Sequence, residues 1–317
     1  MFNPNVINTK NLKLPWAELQ ACSNFSFLKG GSHPEEYMDR AAFLGLSAVA
    51  IADENSVAGI VRAHTRAREI KRLVAERKSF DSAKGLIGPP SLPQFKRSPS
   101  ANIYNMPRLL PASKIVLCNG FTATLLPKGR EGWRQLCRLI SCGRLRSKKG
   151  TCHIEFEDLL EFGGNQIILV HSLNIFQNIN IKAQWLSQVR KLSQCFPKDV
   201  MLLLAPKYDG QDSIYFVNLM HASIELSLPL VASAAPVMHH GSRRRLTDVL
   251  TAIRLGVRVD NLGRAALINS EQRLRSATEA ARLFKAYPDA LEQTALLLKR
   301  LEFSLDTLRY ELSLIHI

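Results

Sequence analysis

LSAVAIADEN, residues 46–55, is a nearly unbroken apolar run that stops on two carboxylates and an amide. A strand with one face in water alternates apolar and polar residues; one that is apolar at almost every position is buried on both faces, as in a parallel sheet. The residues before it read as a helix, with Ser32 as N-cap, Pro34 in the first turn, and Glu35 and Glu36 facing the positive end of the helix dipole. Val57 to Val74, after it, is helical in pattern. Working outward, further apolar runs lie at Lys114 to Leu117, Thr122 to Leu126, Gln166 to His171, Val200 to Ala205 and Leu228 to Ala235. Between them are helical patterns over Arg130 to Ile140, Ile175 to Gln194 and Ser213 to Leu226. This alternation predicts an α/β fold whose largely parallel sheet is covered on both sides, open or closed into a barrel. Chemistry in such folds sits at the carboxyl ends of strands, which here are Gln20 to Leu28 and Ala50 to Asn55.

From Ser242 onward only helices are expected: an amphipathic one over Arg245 to Leu255, one after a Ser276/Glu279 capping box, and one opened by Pro288. Pro89 to Pro111, rich in Pro, Ser and Asn and carrying Lys96, Arg97 and Arg108, reads as an exposed basic loop. The organisation is therefore a tail over 1–14, an α/β domain over 15–241, a helical segment over 242–311 and a short end piece over 312–317.

Of the 317 residues, 42 are Lys or Arg and 27 are Asp or Glu, a formal charge of +15. Such an excess concentrates polyanions and favours counterion release on nucleic acid. At 46% hydrophobic and 22% charged, the composition excludes disorder and low complexity. No apolar run is long enough to cross a bilayer, and Met1 to Lys13 holds no hydrophobic stretch of the secretory kind, so a cytoplasmic protein without membrane contact is expected. Cys22, Cys118, Cys137, Cys142, Cys152 and Cys195 lack C-x-x-C spacing and read as free thiols.

The segment AELQACSNFSFLKGGSHPEEYMDRAAFLGLSAVAIADENSVAGIVRAH (17–64) resembles the start of the PHP (polymerase and histidinol phosphatase) domain. In particular it is similar to the PHP domain opening the bacterial C-family error-prone DNA polymerases, paralogues of the polymerase III alpha subunit. The likeness extends to REGWRQLCRLISCGRLRSKKG (130–150), LPLVASAAPVMHHGSRRRLTDVLTAIRLG (228–256) and RLEFSLDTLRYE (300–311), and is weakest between 85 and 115. It implies a distorted barrel of seven parallel strands, with His, Asp and Glu ligands at one mouth that hold up to three metal ions in active members.

Position by position, the family's first His-x-His falls on Gln20 and Cys22, its Asp-His pair on Asp53 and Glu54, its Glu after Gly on Pro90, and its late Asp-x-His on Ala235 and Val237. His239 stands two residues beyond. The resemblance thus implies a degenerate metal site at Gln20, Cys22, Asp53, Glu54 and His239, with no catalytic residue and no cofactor in this chain. Magnesium would belong to a polymerase palm beyond it. The partners implied are DNA, the palm and thumb of the same polymerase, and damage-response accessory proteins. The last six residues, LSLIHI, depart from the family, and a truncated or out-of-frame product is expected.

Each surviving residue has an ordinary structural reading as well. Cys22 suits a small buried position, Asp53 and Glu54 a helix cap or a pair with a basic residue, and His239 and His240 a surface or phosphate-facing role. His33 suits helix entry, His64 a solvated face, and His171, at a strand end, could still be a ligand. An alternative function is a metal-dependent phosphoesterase using Asp53, Glu54, His171 and His239.

Two basic clusters point to nucleic acid instead. Arg130, Arg134 and Arg138 share a helix face ahead of Arg144, Arg146, Lys148 and Lys149, a stripe ending in a loop flexed by Gly143 and Gly150. The competing reading pairs these cations with Glu155, Glu157 and Asp158. Arg243, Arg244 and Arg245 open a helix, where the dipole disfavours cations, so an anionic partner is expected. A stand-alone DNA-binding module is the third function class. The chain has no G-x-S-x-G, G-x-x-x-x-G-K-[ST], G-x-G-x-x-G or H-E-x-x-H motif.

Overall fold

The computed structural model describes residues 15–82, 106–172 and 178–308. In chain order its elements are β1 (Ala17–Ala21), α1 (Pro34–Leu44), β2 (Ala48–Glu54), α2 (Ile60–Ser82), β3 (Arg108–Val116), β4 (Thr122–Pro127) and α3 (Arg130–Leu145). There follow α4 (Phe156–Phe162), β5 (Gln166–Val170), α5 (Ile179–Cys195), β6 (Val200–Leu204), α6 (Asp212–Leu226) and β7 (Leu230–Ala232). The chain then continues through α7 (Arg244–Leu255), α8 (Ala277–Leu283) and α9 (Pro288–Leu298). The tail, most of the basic loop with Pro90, and residues 312–317 lie outside the described residues.

The seven strands pair in sequence order to form one nearly closed barrel wrapped by helices. One strand corrects the expectation of an all-parallel sheet: β4 runs antiparallel to both β3 and β5, while the other pairings are parallel. The reason is length. A parallel crossover needs about a dozen residues or more, and only Leu117 to Phe121 separates β3 from β4. Those residues turn back on themselves, with Leu117 N–H donating to Phe121 O at 2.9 Å and Gly120 at φ 85°.

The loop boundary is a second correction. β3 begins at Arg108, whose guanidinium donates to Leu298 O at 3.0 Å, so Arg108 to Pro111 are strand. At α1 the N-cap is His33 rather than Ser32; its N–H donates to Glu36 Oε2 at 2.8 Å. Gly143 lies within α3, so the turn near the basic stripe starts later than its glycine suggested. The Ser276/Glu279 capping box is present as expected.

Alternate strand residues divide into two apolar layers. Val49 and Ile51, Ile168 and Val170, and Val200, Leu202 and Leu204 pack outward with the helices. Ala48, Ala50, Ala52, Ala112, Ile167, Leu169, Met201, Leu203 and Val231 face one another inside the barrel, small residues on one wall meeting large ones on the other. The amino-terminal end of that interior is filled by Leu297, Leu298 and Leu301, from α9 and just beyond.

Between β1 and β7 the barrel is fastened largely by a side chain. Glu18, fully buried, accepts hydrogen bonds from its own strand at Gln20 N (2.9 Å) and from Ala234 N (3.0 Å) and the Ser233 hydroxyl beyond β7. Burial pushes its carboxyl above the usual range, and these hydrogen bonds pull it back. Cys22 N–H completes the seam on Pro236 O at 2.9 Å.

Candidate functional site

A β-bulge between Glu18 and Ala21 changes the phase of β1 near its end. Leu19 faces the interior, Ala21 packs outward, and Gln20 and Cys22 line the cavity at the barrel mouth. That cavity, about 220 Å³, is also lined by Ser26, Lys29, Glu54, Lys114, His171, Lys207, Tyr215, Ala235 and Val237. The structure therefore brings together Gln20, Cys22, Glu54 and His171 from strands β1, β2 and β5.

Asp53, 1% exposed, is turned into the loop after β1. Its Oδ1 accepts from Ser23 N and Ser26 Oγ, both at 2.8 Å, and its Oδ2 accepts from Ser23 Oγ at 2.7 Å. Burial raises its pKa, and the serine hydrogen bonds oppose the rise. Gly59 packs closely beside it: a Cβ there would lie 2.7 Å from Asp53 Oδ2 and force that side chain to shift. Glu54 faces the cavity and is held by Lys29, whose Nζ donates to Oε1 at 2.5 Å and Oε2 at 2.6 Å.

Cys22 is held as a thiol, its pKa pushed up to about 11 by burial and by the nearby Asp53 charge. His171 is held neutral, well below its usual pKa, by burial and then by the Lys114 ammonium. Thr124 ties it to Gln20: the hydroxyl donates to Gln20 Oε1 at 3.0 Å and lies 2.9 Å from His171 Nε2. Lys114 has no ion-pair partner among the described residues. Lys207 lies 4.6 Å from the centre of the Tyr215 ring.

His239 is placed elsewhere. Its Nδ1 lies 2.8 Å from Ser32 Oγ and 3.7 Å from Glu36, and burial lowers its pKa to about 4. His64 approaches Asp306 at 3.4 Å. Sequence reasoning gave no site role to Lys29, Lys114, Ser23 or Ser26, although Ser23 and Ser26 fall in the strand end it singled out and Lys114 lies within β3. It also missed Glu18, a lone charge in an apolar strand, which is a signal in itself because such a group must find partners.

The basic residues divide by partner. Arg146 makes a two-pronged pair with Asp158, at 2.9 and 3.0 Å, and Arg144 donates to the carbonyls of Thr151 and Asn55. Lys148 and Lys149 are exposed, with no acidic partner among the described residues. Arg134 pairs with Glu131, and Arg130, Arg134 and Arg138 line one groove with Trp133. Arg243 pairs with Glu36, Arg244 donates to Leu267 O at 2.6 Å, and Arg245 is exposed. None of the helices, among the described residues, is long and apolar enough to cross a membrane.

Residues 18–175 match the PHP domain family. The error-prone DNA polymerase of Ruegeria pomeroyi is 35% identical over 306 residues, 94% of this chain and 27% of that one. The enzyme of the same name from Rhodopseudomonas palustris is 33% identical over 301 residues, 94% of this chain and 24% of its own. The chain thus spans about a quarter of the length of these relatives. Among solved structures, an amidohydrolase from Chromobacterium violaceum aligns at TM-score 0.44 and 10% identity, over 70% of this chain and 87% of that one. The barrel, the family match and the relatives that follow this chain almost end to end lead to one assignment: the chain belongs to the PHP domain family.

Proposed function

We propose that this barrel works inside an error-prone polymerase of damage-induced DNA synthesis and repair, bracing the palm and thumb rather than performing hydrolysis. The observation that carries this reading is the fate of the two acids at the mouth. Lys29 neutralises Glu54, and Ser23 and Ser26 engage both oxygens of Asp53. The remaining ligand positions hold an amide, a protonated thiol, Ala235 and Val237, a donor set that does not fit the multinuclear metal centre of active family members. No catalytic role or metal is therefore assigned at the barrel mouth, and magnesium would act in the palm.

An uncovered apolar stripe supports the bracing role: Leu246, Val249 and Ile253 on α7, with Val257 after it, are 39–59% exposed. The phosphoesterase alternative needs His239 at the mouth, and it packs against Ser32 instead. Metal analysis of the purified chain, with assay of a chromogenic phosphodiester, tests the reading. No turnover is expected, and no zinc or manganese whose binding depends on Asp53; metal and turnover both lost in Asp53→Ala would overturn it.

A second reading, DNA contact, is favoured by the unpaired Lys148 and Lys149 and the Arg130/Arg134/Arg138 groove. Arg144, Arg146, Arg243, Arg244 and Arg245 would add positive potential around these, although Arg146 and Arg243 are already paired. Neutralising Lys148 and Lys149 together should flatten the salt dependence of DNA affinity by about one logarithmic unit for each phosphate that is no longer neutralised. An unchanged slope removes these lysines from the interface.

A further inference from the structure

Cys118, His153 and Glu155 are far apart in role from the family's ligand positions, yet the fold gathers them on the surface. Their donor atoms all lie within 4.8 Å of one another, the one such grouping of three His, Cys, Asp or Glu among the described residues. We propose that these three side chains form a binding site for a divalent transition-metal ion of the zinc class.

The donor chemistry selects the ion. Thiolate, imidazole and carboxylate together suit zinc or cobalt, whereas magnesium demands an octahedron of oxygens. Three protein donors leave one position of a tetrahedron open to water or to a ligand from outside. Donors around such an ion sit about 3.5 Å apart, as follows from bonds of about 2.0–2.3 Å. His153 Nε2 and Glu155 Oε1 already stand 3.1 Å apart. Cys118 can close the remaining gap by rotating its side chain, since all three residues are exposed.

The backbones that carry the donors are fixed. Cys118 N–H donates to Ile154 O at 3.0 Å, clamping the turn between β3 and β4 onto the segment that carries the other two residues. His153 N–H is held by Gly143 O at 2.9 Å and Ser147 Oγ at 2.8 Å, and Glu155 N–H by Asp158 Oδ2 at 2.8 Å. Beneath them Phe121 and Phe156 meet edge to face, with ring centroids 5.6 Å apart. Neighbouring cations are engaged elsewhere: Arg144 on the carbonyls of Thr151 and Asn55, Lys191 over the Phe156 ring at 5.8 Å. Glu157, in the same groove as Cys118 and Glu155, adds negative potential.

Cobalt(II) chloride, titrated into the full 317-residue chain at neutral pH, tests the site directly. Thiolate-to-cobalt charge-transfer absorption and the intense visible bands of four-coordinate cobalt are expected, saturating at one equivalent and erased by zinc. Cys118→Ser should abolish the charge-transfer absorption, and His153→Ala should weaken binding roughly tenfold or more. Cys22→Ser should leave both signals intact, which separates this site from the barrel mouth. Absence of the charge-transfer band from the parent chain, its persistence in Cys118→Ser, or unchanged affinity in His153→Ala overturns the proposal. Far-ultraviolet circular dichroism confirms that each variant is folded.

Discussion

Asp53 satisfies two hydroxyls and one backbone amide that are otherwise buried with no acceptor. Asp53→Ala leaves all three donors without their acceptor at once and should cost on the order of 3 kcal/mol or more, read as the shift in a urea midpoint. Asp53→Asn keeps the shape and removes the charge, and its effect should depend on pH. Because burial raises the folded pKa above the unfolded value, the folded state holds this proton more tightly than the unfolded one. The contribution to stability is therefore greatest in acid and is lost as pH rises from about 4 through the folded pKa. The melting temperature of the parent chain relative to Asp53→Asn should fall between pH 4 and pH 7; a difference that grows over that interval contradicts the assignment. The carboxylate at the strand end was legible from LSAVAIADEN. Its partners were not, because Ser23 and Ser26 lie 30 and 27 residues upstream and only the fold brings them near.

Strand positions were readable where apolar runs ended on turn residues, and the direction of β4 was readable too, though from a smaller signal. Asn119-Gly120 between two short apolar runs is hairpin chemistry, and the continuous burial of both strands masked it behind the parallel pattern. With Gly120 at φ 85°, Gly120→Ala should cost about 1 kcal/mol, since a Cβ is disfavoured in the left-handed region even though no neighbour obstructs it. Thermal unfolding checks this, and an unchanged midpoint would mean the turn relaxes freely. Helix α4 was not legible at all: its seven residues are two turns, too few for a periodicity to declare itself. Ser32 misleads as a cap for a different reason, since its hydroxyl serves His239 across 207 residues rather than the adjoining helix.

At the scale of the molecule, the helices after Ser242 read correctly as helices, but nothing in their sequence announced that the last of them enters the barrel. Leu297, Leu298 and Leu301 are 1–8% exposed. At roughly 1.5–3 kcal/mol for each large apolar side chain, they account for about as much free energy as separates a folded domain from its unfolded chain. A chain ending at Tyr287 should therefore lack cooperative thermal unfolding, which calorimetry would reveal; a sharp transition in that truncation would show the interior can be filled without them. The clasp at Glu18 has a related consequence for synthesis. Its partner Ser233 lies 215 residues downstream, so at about 5–20 residues per second the first strand waits ~10–40 s on the ribosome before its seam can form. Until then β1 is an open edge in a growing chain, and nascent-chain chaperones have that interval in which to shield it.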